Sequence, residues 1–360
     1  MKRLPLQPRA HLADRIADTA LGVLATLHAL VAASLLFVLL SLSPASAAEP
    51  PACTGKNLLP DLQASDPAAY AKLVGEAKTE TNGEGIFWKI EKPGTSPSYL
   101  LGTMHVTDPR VVAMPDAAQA AYEEAQTVVV ESDEIADVRK ASATILTRPD
   151  LTMFTDGRTI PGLLGEKDAA ILAEGLKVRG LSLTAVARMK PWMIMSFVAL
   201  PACEMARKQA GLAFLDQKLA QDALADGKTL KGLETMIEQI SALDGLPLEP
   251  QLAGLLQVVQ LGDGVKDVIE TMSQLYLSGQ TGMIMPLMRM PPPGVESDDN
   301  AYADFEQRII IDRNHRMAER AAPILAEGNV FIAVGALHLP GKEGVVELLR
   351  SQGFTLTPVR

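Results

Sequence analysis

The chain has 360 residues, of which 48% are hydrophobic, 21% charged and only 4% aromatic. That composition supports a globular core packed from Leu, Ala, Val, Ile and Met. A net charge of −10, with no basic cluster beyond the N-terminus, excludes nucleic acid as a partner, because phosphate binding requires a basic surface.

Residues 1–47 read as a secretory signal peptide. Lys2, Arg3, Arg9 and Arg15 form a positive start, Leu21 to Leu42 is almost wholly apolar, and Pro44-Ala45-Ser46-Ala47 supplies the small residues of a cleavage site. The alternative is an uncleaved membrane anchor, since about 20 apolar residues span a bilayer. The chain is therefore expected to be exported, periplasmic or secreted, with membrane attachment only if this segment stays. Its two cysteines, Cys53 and Cys203, are expected to pair as a disulfide in an oxidising compartment; the alternative is two unrelated buried thiols.

Residues 48–360 are expected to form a single α/β domain. Asp66-Pro67 opens a helix as N-cap and first helical residue. Residues 86–90 and 98–101 form a hairpin across the turn Lys92-Pro93-Gly94. The second strand leads into Gly102-Thr103-Met104-His105. A helix over 116–125 precedes the apolar run Thr127 to Val130, which stops at Glu131. A carboxylate at the end of a buried strand is costly unless it is paired, protonated or metal-bound.

From about 136 to 290 the pattern becomes mainly helical, with segments at 166–178, 182–189, 191–210, 212–226, 235–243 and 250–278, some of them short or kinked where Pro191 and Pro201 punctuate them. Within it, Thr229 to Leu233 reads as one further strand, ending at Glu234. Met283, Met285, Met288 and Met290 run into Pro291-Pro292-Pro293 and read as a hydrophobic flap more than as a soft-metal site. A long amphipathic helix over 301–326 carries Arg313 and Asn314 within a charge run that also suits a solvated face. Residues 329–334 form a strand leading into Gly335-Ala336-Leu337-His338, and a helix at 345–351 precedes a last strand at 354–359. The two G-x-x-H motifs each place a histidine just past a strand end, where open α/β sheets usually carry their chemistry.

Several stretches in this order resemble the TraB/GumN (PrgY) family, which includes the Tiki proteins. They are Trp88-Lys89-Ile90, Tyr99 to His105 with Asp108-Pro109, Glu131, Cys203-Glu204, Leu215-Asp216, Gly232-Leu233-Glu234-Thr235 with Glu238-Gln239, Arg313-Asn314 and Val334 to Gly341. The resemblance implies an α/β core similar to erythromycin esterase and the haem-binding ChaN proteins, with a large helical insertion. It also implies a central mixed, largely parallel sheet with flanking helices. The family's paired histidines map onto His105 and His338, its glutamate onto Glu131 and its late arginine onto Arg313, with Glu234, Asp216 and Asn314 as further matches.

Residues and resemblance together lead to one expectation. His105, Glu131 and His338 would bind a divalent cation (Mn, Co or Zn) and leave an open position, as hydrolytic sites do. Glu234 would act as general base. Arg313, with Asn314, would stabilise the developing oxyanion. The reaction would be hydrolysis of an amide or ester bond in a peptide or small exported substrate. The alternatives are a non-catalytic module that binds haem, a peptide or another ligand, or histidines that only hold the sheet ends.

Overall fold

The computed structural model describes residues 52–290 and 299–359; the expected signal segment at 1–47 and the triple proline lie outside them. Six strands form one sheet: β1 (Phe87–Glu91), β2 (Ser98–Thr103), β3 (Thr127–Val130), β4 (Thr229–Gly232), β5 (Val330–Gly335) and β6 (Thr355–Pro358), in the order β4-β3-β5-β2-β1-β6. The pairs β4–β3, β3–β5 and β5–β2 are parallel, while β1 runs antiparallel to both β2 and β6. The sheet is thus mixed and largely parallel, and the fold class is α/β.

Both faces of this sheet are covered, which explains why its central strands are continuous apolar runs rather than alternating ones. On one face Leu100, Val129, Ile332 and Val334 pack against Met317, Ala318, Ala321 and Leu325 of the helix Asp312–Leu325. On the other, Leu101, Val128, Val130, Phe331 and Ala333 meet Ala118, Ala121 and Tyr122, and Leu215, Leu219, Ala220 and Ala223. The last four belong to the helix Leu215–Ala225, so part of the 136–290 region serves the sheet itself. A separate core inside that region gathers Phe154, Ile160, Leu172, Leu176, Val186, Ile194, Val198, Leu252 and Leu255.

Several helices differ from the sequence expectation. The helix expected over 191–210 is two, Pro191–Val198 and Ala202–Gln209, because Pro201 lacks the amide that a continuous helix needs there. That over 182–189 shrinks to Leu183–Val186. The 250–278 segment divides at Gly262, whose φ of 53° only glycine adopts at little cost. The 301–326 helix contains a π-helical stretch, Glu306–Ile311, just before Arg313. Met283 is buried beside Leu73, Leu275 and Ile284, with Met290 packed against them, so those methionines are packing residues.

Cys53 and Cys203 are joined in a disulfide, closing 150 residues of chain. No helix among the described residues is long and apolar enough to cross a membrane.

Candidate metal centre at the carboxyl ends of the parallel strands

Each of the four parallel strands delivers one polar residue at its carboxyl end. His105 follows β2, Glu131 follows β3 directly, Glu234 follows β4, and His338 ends the 3-10 turn Ala336–His338 after β5. The glycines of the two G-x-x-H motifs make close approach possible. A Cβ on Gly102 would lie 2.7 Å from Leu339 Cδ1 and 3.1 Å from Ala336 Cα; one on Gly335 would lie 3.1 Å from Glu131 Oε1.

Glu131 is the hub of the cluster. Its Oε1 accepts the Gly335 backbone N–H at 2.7 Å and lies 3.7 Å from His338 Nε2. Its Oε2 accepts Arg313 Nη2 at 2.6 Å and Gln239 Nε2 at 3.0 Å. Burial alone would push this carboxyl up, but His338, Arg313, His105 and the Gly335 amide outweigh it and hold it at about 2. Glu131 is therefore a fixed anion.

Glu234, expected as general base, lies in a network of ion pairs beside Glu131. Its side chain is fully buried, Oε2 accepts Arg313 Nε at 2.9 Å, and Oε1 accepts Arg316 Nη1 at 2.7 Å. Each of its oxygens is thus engaged by a guanidinium group. Arg313, expected as oxyanion donor, has its guanidinium nitrogens on protein acceptors. It is clamped between Glu131 and Glu234, and its remaining nitrogen faces the Ile309 carbonyl at 3.4 Å. These three residues form a buried charge-paired frame.

Asn314, also expected to be catalytic, is held by two hydrogen bonds. Its Nδ2 donates to the Glu343 backbone carbonyl at 2.8 Å, which turns its Oδ1 toward His338 Nδ1 at 2.6 Å. Because that oxygen can only accept, His338 carries its proton on Nδ1 and presents the Nε2 lone pair to Glu131. Burial lowers the His338 pKa to about 4 against the pull of Glu131, so the ring is neutral.

His105 brings a further residue into the cluster. Its Nε2 lies 3.6 Å from Asp216 Oδ1, and its ring packs at a 50° tilt against Phe214 with centroids 4.9 Å apart. Burial of its inner face opposes a charged ring, yet the charges of Asp216 and Glu131 prevail and raise its pKa to about 8. The side chain remains 54% exposed and forms the open mouth of the cluster. Asp216 sits in the first turn of the helix Leu215–Ala225 and is almost wholly buried. Its Oδ1 accepts the Thr103 hydroxyl at 2.7 Å, while its Oδ2 is buried with no hydrogen-bond partner.

One donor atom each from His105, Glu131 and Asp216 lie within 4.8 Å of one another. A single divalent cation spans such a set after sub-ångström side-chain movement, given metal–ligand distances of about 2.0–2.2 Å. The unpaired Oδ2 of Asp216 is the local signature that suits a cation, because a buried carboxylate oxygen without a partner is costly. The residues present fit a divalent metal. The structure thus brings His105, Glu131, His338, Glu234, Arg313, Asn314 and Asp216 together, with Gln239 and Thr103 from the matched stretches, and adds Arg316. His315, the third histidine outside the N-terminal segment, points away to an exposed contact with Glu343 at 3.1 Å. Nothing in hydrophobic periodicity marks Asp216, since an acid in a helix's first turn is ordinary; only its place in the Leu215-Asp216 match pointed to it.

Glu204 supports the same loop from behind. It accepts the Thr107 backbone N–H at 2.9 Å and the Thr107 hydroxyl at 2.8 Å, and pairs with Arg207 at 3.1 Å. Its neighbour Cys203 is anchored by the disulfide.

Known proteins share this chain's sequence at a distance. Metalloprotease TIKI2 of Danio rerio is 26% identical over an alignment of 316 residues, covering 75% of this chain and 60% of the relative. Metalloprotease TIKI1 of Xenopus tropicalis is 25% identical over 339 residues, covering 81% and 64%. Human metalloprotease TIKI1 is 25% identical over 344 residues, covering 82% and 66%. The chain therefore spans less than two thirds of the length of each. No solved structure matches the chain. The TraB/PrgY/gumN family model matches residues 86–358, from the start of the hairpin to the last strand and through every residue of the cluster, and the chain belongs to that family.

Proposed function

We propose that the protein is an exported metal-dependent hydrolase that cleaves an amide or ester bond in a peptide or small exported molecule. His105, Glu131 and Asp216 hold the cation, with His338 Nε2 3.7 Å from Glu131 Oε1. The observation that carries this reading is the compact donor set around the unpaired Asp216 Oδ2. The metalloprotease names of the relatives support it. Mixed imidazole and carboxylate donors suit Mn, Co or Zn.

A cation bound there would polarise a substrate carbonyl and make a water acidic enough to attack it near neutral pH. The chain's own groups do the positioning. Asn314 fixes the His338 tautomer by its hydrogen bond to Nδ1, which orients the imidazole with Nε2 toward Glu131. The burial that keeps His338 neutral makes charging it costly, which favours ligation over proton uptake. Arg313 and Glu234 hold Glu131 in place, and the half-exposed His105 ring leaves the approach for substrate.

The test is incubation of the chain, loaded in turn with Mn, Co and Zn, with a mixed library of peptides and small esters, read by mass spectrometry. Cleavage that requires metal and disappears in His105→Ala and Asp216→Asn is the expected result. Stoichiometric metal with no cleavage of any library member would instead favour a sequestering protein.

A further inference from the structure

Near the mouth of the cluster lies a lysine with no ion pair among the described residues. Lys208 lies on the helix Ala202–Gln209, with its ammonium 5.5 Å from the centroid of the Phe214 ring. Phe214 in turn packs at a tilt against His105, with centroids 4.9 Å apart, so the ammonium lies no more than about 10 Å from the His105 ring. The acid that acts on Lys208 most directly is Glu204. Its two oxygens are already committed, one to Thr107 and one to Arg207. Burial lowers the lysine's pKa, the mark of an ammonium that has lost water without gaining a full counter-charge. The neighbouring Arg207 is paired and buried, whereas Lys208, one residue on, makes no ion pair within 4 Å among the described residues.

We infer that Lys208 and Phe214 form a subsite for a substrate carboxylate beside the metal centre, so that the preferred substrate is a peptide carrying a free carboxylate near the scissile bond. This rests on the hydrolase reading above. The aromatic face of Phe214 supplies the floor for the attached apolar group, and the ammonium supplies the point charge. The carboxylate comes either from a free C-terminus or from an acidic side chain; both present the same group to Lys208.

The experiment is calorimetric titration of the metal-loaded full chain with a panel of N-acetylated tripeptides. Each is supplied as free acid and as C-terminal amide, with one amide arm carrying Asp or Glu. Metal content is measured on the same samples. Free acids, or the acidic amides, should bind at least about tenfold tighter than neutral amides. Lys208→Met should erase that preference at unchanged metal content, and Lys208→Arg should restore most of it. Preference for the free acids assigns the carboxylate to the C-terminus, and preference for the acidic amides assigns it to a side chain. Equal binding of acids and neutral amides, a preference that survives Lys208→Met, or no binding of any peptide would overturn the subsite. In each of those cases normal metal content leaves the metal centre itself standing, whereas absent metal removes the reading beneath it.

Discussion

Replacing Arg313 by methionine removes the one cation shared by two buried carboxylates. Arg313 donates to Glu131 at 2.6 Å and to Glu234 at 2.9 Å, and the three side chains are 11%, 7% and 0% exposed. Losing one partner of a buried pair costs about 3–5 kcal/mol, because the remaining charge is left uncompensated. Here the survivors keep some support: Glu131 retains the Gly335 amide and Gln239, and Glu234 retains Arg316. The expected loss is therefore at the low end, about 3 kcal/mol. Urea unfolding at neutral pH in the presence of chelator measures it without any contribution from bound metal. The double variant Arg313→Met with Glu234→Gln should recover more than about 1 kcal/mol of that loss, because one unpaired charge disappears with its partner. A loss below about 1 kcal/mol, the range of exposed ion pairs, would refute the claim that this frame is buried and fixed.

Other expectations follow from the same structure. Asn314→Ala frees the His338 tautomer, and metal affinity should fall about 10–100-fold by direct titration while the fold is kept. Opening the Cys53–Cys203 disulfide releases a 150-residue loop; stability should drop by up to about 5 kcal/mol on the chain-entropy scale, read from urea unfolding with and without reductant. Glu238 is held down at about 2, first by hydrogen bonds from Arg320 and further by the Thr235 cap. Because its folded pKa lies below its ordinary value of 4.5, its contribution is full above that value and fades as pH falls toward 2. Arg320→Met should accordingly be less stable than the parent chain at pH 6, and the gap should narrow by pH 3 in paired urea titrations.

The sheet was legible because each strand is a short apolar run ended by glycine, a polar residue or a turn. Thr127–Val130, buried on both faces between β4 and β5, is the clearest instance. The four strand-end residues were legible for the same reason, since position at a strand end is a local property of the chain. What those residues do depends on partners far away in sequence, and that was not legible. Glu234 looks like a free carboxylate until Arg313 and Arg316 arrive from a helix about eighty residues on. Asn314 looks like a substrate donor until its amide is committed to the Glu343 carbonyl. Helix interruptions were legible at Pro201, where the missing amide is written in the residue type, but not at Glu306–Ile311. No glycine or proline marks that π-helical stretch, and its register follows from packing alone.

The most direct test of the metal centre is the elemental content of the chain purified without chelator or affinity metal and then incubated with Mn, Co or Zn. The account predicts close to one equivalent of one of these ions, retained by His315→Ala and lost in both His105→Ala and Asp216→Asn. An absence of metal under every condition, or equal metal in all three variants, would contradict it.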